Sequence, residues 1–138
     1  MLKPGGTFLL SVWDAIERNE LVHTAHTTVT KYFDENPPDF YQVPFSFFDV
    51  NEIRLLMSFA GFADIQIAPL AFPSTAPSAA EIARGLVHGN PIIASLRERC
   101  ESKIPEIEAD VASVIAGKFG DNPVRAKMNA LVCAATRS

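Results

Sequence analysis

The chain has 138 residues, 48% of them hydrophobic, enough for one domain with a core that hides about two-thirds of the unfolded surface. A net charge of −4 and a pI near 5.3 give no basic field for holding a phosphate backbone, which argues against a nucleic-acid partner. No uncharged apolar run approaches the ~20 residues of a membrane-spanning helix, and the start lacks the charged-then-apolar layout of a secretion signal, so the expectation is a cytoplasmic protein without a membrane partner.

The chain opens on Leu2-Lys3-Pro4-Gly5-Gly6-Thr7, a tight turn: Pro4 presets its φ and the two glycines tolerate positive φ. The stretch from Thr7 to Trp13 follows as a strand, apolar on both faces, as expected of a parallel strand covered by helices on both sides. Residues 19–33 read as a helix carrying His23 and His26, and the loop Asn36-Pro37-Pro38-Asp39-Phe40-Tyr41 after it is a candidate lid. Asp49 and Glu52 form an aspartate version of the capping box. Val50, Ile53, Met57 and Ala60 then recur at helical spacing until Gly61 stops the helix. A second strand, Ala63 to Ile67, leads into a proline-spaced, extended connection from Pro69 to Pro77.

Ser78 with Glu81 is a regular capping box and starts a helix carrying Ile82, Leu86 and Val87, with His88 as a cation at its end. Gly89-Asn90-Pro91 breaks that helix and starts another, with Asn90 as its expected N-cap and Pro91 at its first position. A third helix follows Pro105, with Ile107, Val111, Val114, Ile115 and Phe119 on one side, and ends at Gly120-Asp121-Asn122-Pro123. The segment from Met128 to Thr136 is the last strand, so residues 78–120 are a helical insertion between two strands. Cys100 and Cys133 lack any paired spacing and read as free thiols.

Three of these segments carry a resemblance. The Leu2-Lys3-Pro4-Gly5-Gly6 turn before a strand, the Ala60-Gly61-Phe62 turn before Asp64 and Ile65, and the final strand Met128 to Thr136 resemble, in order and content, the back part of class I S-adenosylmethionine-dependent methyltransferases. The likeness is to the family that includes the ubiquinone and menaquinone C-methylases. The resemblance implies an α/β fold: an incomplete Rossmann-like methyltransferase sheet of about three strands, with helices and a helical insertion before the last strand. It implies that 1–138 is one domain, the C-terminal, substrate-side portion of such an enzyme.

In that family the donor is held by a glycine-rich loop after the first strand, an acidic residue ending the second and residues after the fourth. None of these has a counterpart here. Gly5-Gly6 precedes a strand instead of joining strand to helix, and is no G-x-G-x-x-G fingerprint. S-adenosylmethionine is therefore the cofactor of the complete family fold, with no cofactor or metal residues expected in this chain, which by itself is expected to be inactive.

Ligands of open α/β sheets bind beyond the carboxyl ends of the parallel strands. If the second strand runs parallel to the first and the third antiparallel, the lid, the 69–77 connection, the insertion and the entry to the last strand at Val124-Arg125-Ala126-Lys127 share that end, where the resemblance implies that substrate meets methyl donor. Trp13, Tyr41 and Phe45, with Phe40, Phe47 and Phe48, concentrate aromatic surface there. The group either shapes a pocket for an apolar or ring-bearing small molecule or buries the lid. Arg84 and Arg125, with Lys127, are candidates for pairing with a substrate carboxylate or phosphate, the alternative being ordinary surface cations. His23 and His26 are the candidate bases, needed only if the acceptor must lose a proton; otherwise they are solvent-facing helix residues.

Three functions stay open: a methyltransferase fragment acting on a small molecule, a non-catalytic module binding a small ligand, and a self-association domain. The strand from Phe8 to Val12 would lack a neighbour on one side, which predicts a homodimer or higher oligomer through the exposed strand edge.

Overall fold

The computed structural model describes residues 2–138 and has an α/β architecture. Strand β1 (Thr7–Trp13) is followed by helices α1 (Glu20–Thr30) and α2 (Val50–Phe59) and by β2 (Phe62–Ala76). Helices α3 (Ala79–His88), α4 (Ile92–Cys100) and α5 (Ile104–Phe119) then stand between β2 and β3 (Val124–Arg137). The sheet order is β1-β3-β2 and β3 is antiparallel to both neighbours, so β1 and β2 run parallel with the last strand inserted between them. A three-stranded sheet with a three-helix insertion before its last strand is the architecture expected from the sequence.

Two cores hold it. On one face of the sheet, Ile53 and Met57 of α2 pack on Leu131, Cys133 and Ala135, with Phe8, Leu10 and Val12 around them. Asp49 caps α2 by accepting from the amides of Asn51 and Glu52, and Gly61, at φ +80°, takes the left-handed turn that ends it. Arg137 closes the same end by donating to the carbonyls of Ala60 and Gly61. The larger core lies on the opposite face, at the far end of the β2–β3 ribbon. There Leu21, Ala25 and Val29 of α1 meet Ala83 and Val87 of α3, Ile92 and Leu96 of α4, and Ile107, Val111 and Ile115 of α5, over Val124 and Ala126.

Several expectations need correction. The strand β1 is not covered on both sides: α2 covers one face, while on the other Leu9 is 69% exposed. The stretch Pro69 to Ala76 is indeed extended, but it is paired strand, continuous with Ala63–Ile67, after a bulge between Ala63 and Gln66. The hydrogen bonds explain how prolines fit. Gly6 O accepts from Arg137 N and Asp14 N donates to Asn129 O, which turns the main-chain groups of Asn129, Leu131, Cys133, Ala135 and Arg137 toward β1. The alternate residues of β3 face β2, so by register Ile67, Pro69, Ala71, Pro73 and Thr75 direct their main-chain groups outward, where a missing N–H breaks no ladder. Finally, Asn90 does not cap α4. Its side-chain amide reaches back to the carbonyls of Gly85 and Leu86 and closes α3 instead.

Candidate functional site

The carboxyl end of β1 is where both cores meet, and Trp13 stands there. Its ring lies 5.8 Å from that of Phe45 and 6.3 Å from that of Phe72, tilted against both. On the open face of the sheet it forms one end of a groove of about 650 Å3, floored by Ser11, Ala130, Val132, Leu70 and Phe72 and bordered by Pro44 and Phe47. On its other side lies a smaller cavity of about 190 Å3, walled by Val22, Phe40, Tyr41, Phe45, Leu86 and Met128. Trp13 and Pro44 line both spaces. The small cavity belongs to the packing of the 31–48 segment, whereas the large groove is wide and apolar enough to take a ring-bearing molecule.

The strand end is held in place by a buried polar knot that the sequence reading missed. Asp14, 3% exposed, accepts from its neighbour Ala15 N and from Arg18 Nη1, both at 2.8 Å. Asn19, 1% exposed, donates from Nδ2 to the carbonyls of Asp14, Ala15 and Asn129, and its Oδ1 accepts Asn129 N at 3.1 Å. Glu20 adds a bond from Lys127 N to its carboxylate at 2.6 Å. The loop after β1 is thereby stitched to β3, and Trp13 is positioned by the strand before it and the knot after it. The available signal was Asp14 directly after a strand and Asn19 directly before a helix, both types that bond their own backbone.

Tyr41 and Phe45 are both buried. Tyr41 donates its hydroxyl to the carbonyl of Leu86 at 2.7 Å, and burial raises its phenol above the ordinary range. With Gln42 Nε2 lying 3.0 Å from His26 Nε2, and Arg99 donating to the carbonyls of Glu35 and Asn36, the segment read as a lid is fastened to α1, α3 and α4. His26 stands behind Tyr41, ring edge to ring face, with its Nδ1 buried and unpaired among the described residues. Burial and the neighbouring His23 push its pKa down, against smaller opposing effects of Asp39 and Glu17. Neither His23 nor His26 lines the groove. Arg84 is exposed on α3, away from the groove. Arg125 lies beside a separate open depression with Lys118, Phe119 and Lys127. His88 ends α3, as read, and pairs with Glu108 of α5 at 2.8 Å. The structure thus brings Trp13, Tyr41 and Phe45 together and keeps the histidines and arginines apart from the groove.

No G-x-G-x-x-G loop joins a strand to a helix in this chain, so the glycine-rich cradle of an S-adenosylmethionine site is not among its features. In the turn after β1 the amide of Ala15 bonds Asp14 Oδ1 and those of Arg18 and Asn19 bond the carbonyls of Ala15 and Ile16, while Gly5 donates its amide to Arg137 O. Both cysteines are free, and burial raises the thiol of Cys133. Among the described residues no cluster of His, Cys, Asp or Glu has the makings of a metal site, and no helix is long and apolar enough to cross a membrane.

No family model and no curated protein matches the sequence. Among solved structures the chain is similar to Haemonchus contortus phospholethanolamine N-methyltransferase 2 in complex with phosphomonomethylethanolamine and S-adenosylhomocysteine. The identity is 17% and the TM-score 0.36, over 99% of this chain and 27% of that one. The chain thus spans about a quarter of that enzyme's length.

Proposed function

We propose that this chain is the acceptor-side portion of an S-adenosylmethionine-dependent methyltransferase for a small, ring-bearing or apolar molecule, with the donor bound by parts of a longer polypeptide. The reading rests on the turn and strand motifs of the sequence. One structural observation carries it further: β1 and β2 run parallel with an antiparallel strand between them, and an aromatic groove opens at the carboxyl end of β1. The contribution of this chain is then to bind and orient the acceptor. Orientation alone is worth up to ~7–11 kcal/mol for well-aligned reactants, so no acid or base in the groove is required unless the acceptor must lose a proton. Trp13 and Phe72 supply flat apolar walls, and Ser11 offers a hydroxyl at the floor.

Trp13 is the single tryptophan, so its emission reports on the groove. Titration with anilinonaphthalene sulfonate, a ring-bearing probe, should quench that emission, and Trp13→Phe with Phe72→Ala should abolish the dye's own signal. Calorimetry with S-adenosylhomocysteine should give no specific heat. Micromolar binding of the homocysteine compound would place a donor site in this chain, and a silent dye titration would remove the groove as an acceptor site.

A further inference from the structure

Three cations converge where β3 begins. Arg125 and Lys127 alternate with Ala126, which faces the larger core, so both side chains leave the other face of β3, about 7 Å apart along the strand. Lys118 joins them from the last turn of α5, where a cation also complements the helix dipole. The three line a depression of about 610 Å3 together with Phe119, Pro73 and Glu20. All three are exposed, and among the described residues none pairs with a carboxylate. Glu20 directs its carboxylate to Lys127 N at 2.6 Å, and the acid that follows α5, Asp121, accepts from the amides of Ala79 and Asn122. In a chain of net charge −4, three cations against one carboxylate make a local excess of two positive charges.

We propose that this depression is a second ligand site, one for a phosphate monoester carrying a short apolar chain. A phosphate monoester brings about −1.5 to −2 charges near neutral pH, which matches the local excess, whereas a carboxylate would leave part of it unmet. Its terminal oxygens can accept from the Arg125 guanidinium and the two ammonium groups at once. The floor suits the other end of such a molecule: Phe119, half-buried, and Pro73 offer a chain an apolar bed. A repeating phosphate backbone is a poor fit, because beyond the depression it would meet a chain of net negative charge. The site shares only Phe72 with the acceptor groove and does not depend on the reading given to that groove.

The test is calorimetry of the native chain with hexyl phosphate, methyl phosphate and hexanoate, at neutral pH and about 0.1 M salt. Hexyl phosphate should bind roughly fivefold tighter than hexanoate, from the added charge, and roughly tenfold tighter than methyl phosphate, from the apolar floor. Arg125→Gln with Lys127→Gln changes two exposed side chains and should weaken hexyl phosphate about tenfold, two partly screened charge pairs at roughly threefold each, with an unchanged circular dichroism spectrum. No heat with hexyl phosphate, hexanoate or methyl phosphate bound as tightly as hexyl phosphate, or a folded double variant with native affinity would each overturn the proposal. If the double variant unfolds, the comparison of the three ligands on the native chain decides alone.

Discussion

Asn19 occupies a position where four backbone groups converge on one buried side chain. In Asn19→Ala the carbonyls of Ala15 and Asn129 keep the amides of Arg18 and Asp14, but Asp14 O and Asn129 N lose their partner, and an unmet buried group costs about 1–3 kcal/mol. The loss should reach at least about 2 kcal/mol in denaturant unfolding, and Asn19→Asp should rescue little, since it restores the acceptor and none of the donors. His26 gives a pH dependence. Its pKa is lowered in the folded state, so the fold favours the neutral ring, and the stabilisation is present above the ordinary histidine pKa and lost as pH falls through the lowered one. The groups facing it are His23, Asp39, Glu17, Tyr41 and Gln42. The melting temperature should decline from neutral pH to about 5.5, where carboxylates still hold their charge, and His26→Gln should flatten that decline. An unchanged slope in the variant would assign the pH response elsewhere. Asn90 shows why single residues were hard to place: the Asn-Pro pair before a helix reads as a cap for α4, but its amide is within reach of the carbonyls that end α3, and sequence spacing does not say which end wins.

At the level of elements, helix boundaries were the most legible. Asp49, Ser78 and Gly61 each act through a local hydrogen bond or a local φ, so the residues that set α2 and the start of α3 sit within a few positions of the ends they define. Strand extent was less legible because pairing is decided by a partner about sixty residues away. Pro69 and Pro73 argue against a ladder until one knows that β2 is an edge and which residues turn outward. The same alternation predicts opposite outcomes for adjacent substitutions in β1. Leu10→Pro removes an N–H that faces β3 and strips a side chain from the α2 core, and it should unfold the sheet end, whereas Ser11→Pro should leave the fold intact. Circular dichroism and thermal melts of the two variants side by side check this. Equal damage from both would mean that the facing pattern of β1 is misassigned.

For the molecule as a whole, the insertion 78–120 is more than a cover. Ala83, Val87, Ile92, Leu96, Ile107, Val111 and Ile115 supply much of the larger core, against which α1, Tyr41 and Phe45 are buried. Deleting it should expose the apolar side of α1 and the segment around Tyr41, so limited proteolysis should cut between residues 20 and 48, while the core under α2 keeps its amide protection. Resistance to cleavage there would show that α1 docks on the sheet without the insertion. The aromatic concentration near Trp13 was visible in the sequence, but its division into a packed cavity around Tyr41 and Phe45 and an open groove along Phe47 and Phe72 is set by tertiary packing, which no local pattern encodes.

The two prolines of β2 bear on what happens at high concentration. A sheet that grows by adding strands needs two live ends, and a unit with two becomes a filament. This one has a valency of one: once β1 is joined to a neighbouring strand, the edge that this chain still presents is the outer side of β2, interrupted at Pro69 and Pro73. Addition therefore terminates at that neighbour, and a chain whose β1 edge is uncharged from end to end is kept from the fate of an open-ended β-polymer. Replacing both prolines by threonine would raise that valency to two, and crowded solutions of the double variant should thicken into thioflavin-positive fibres where the parent remains clear.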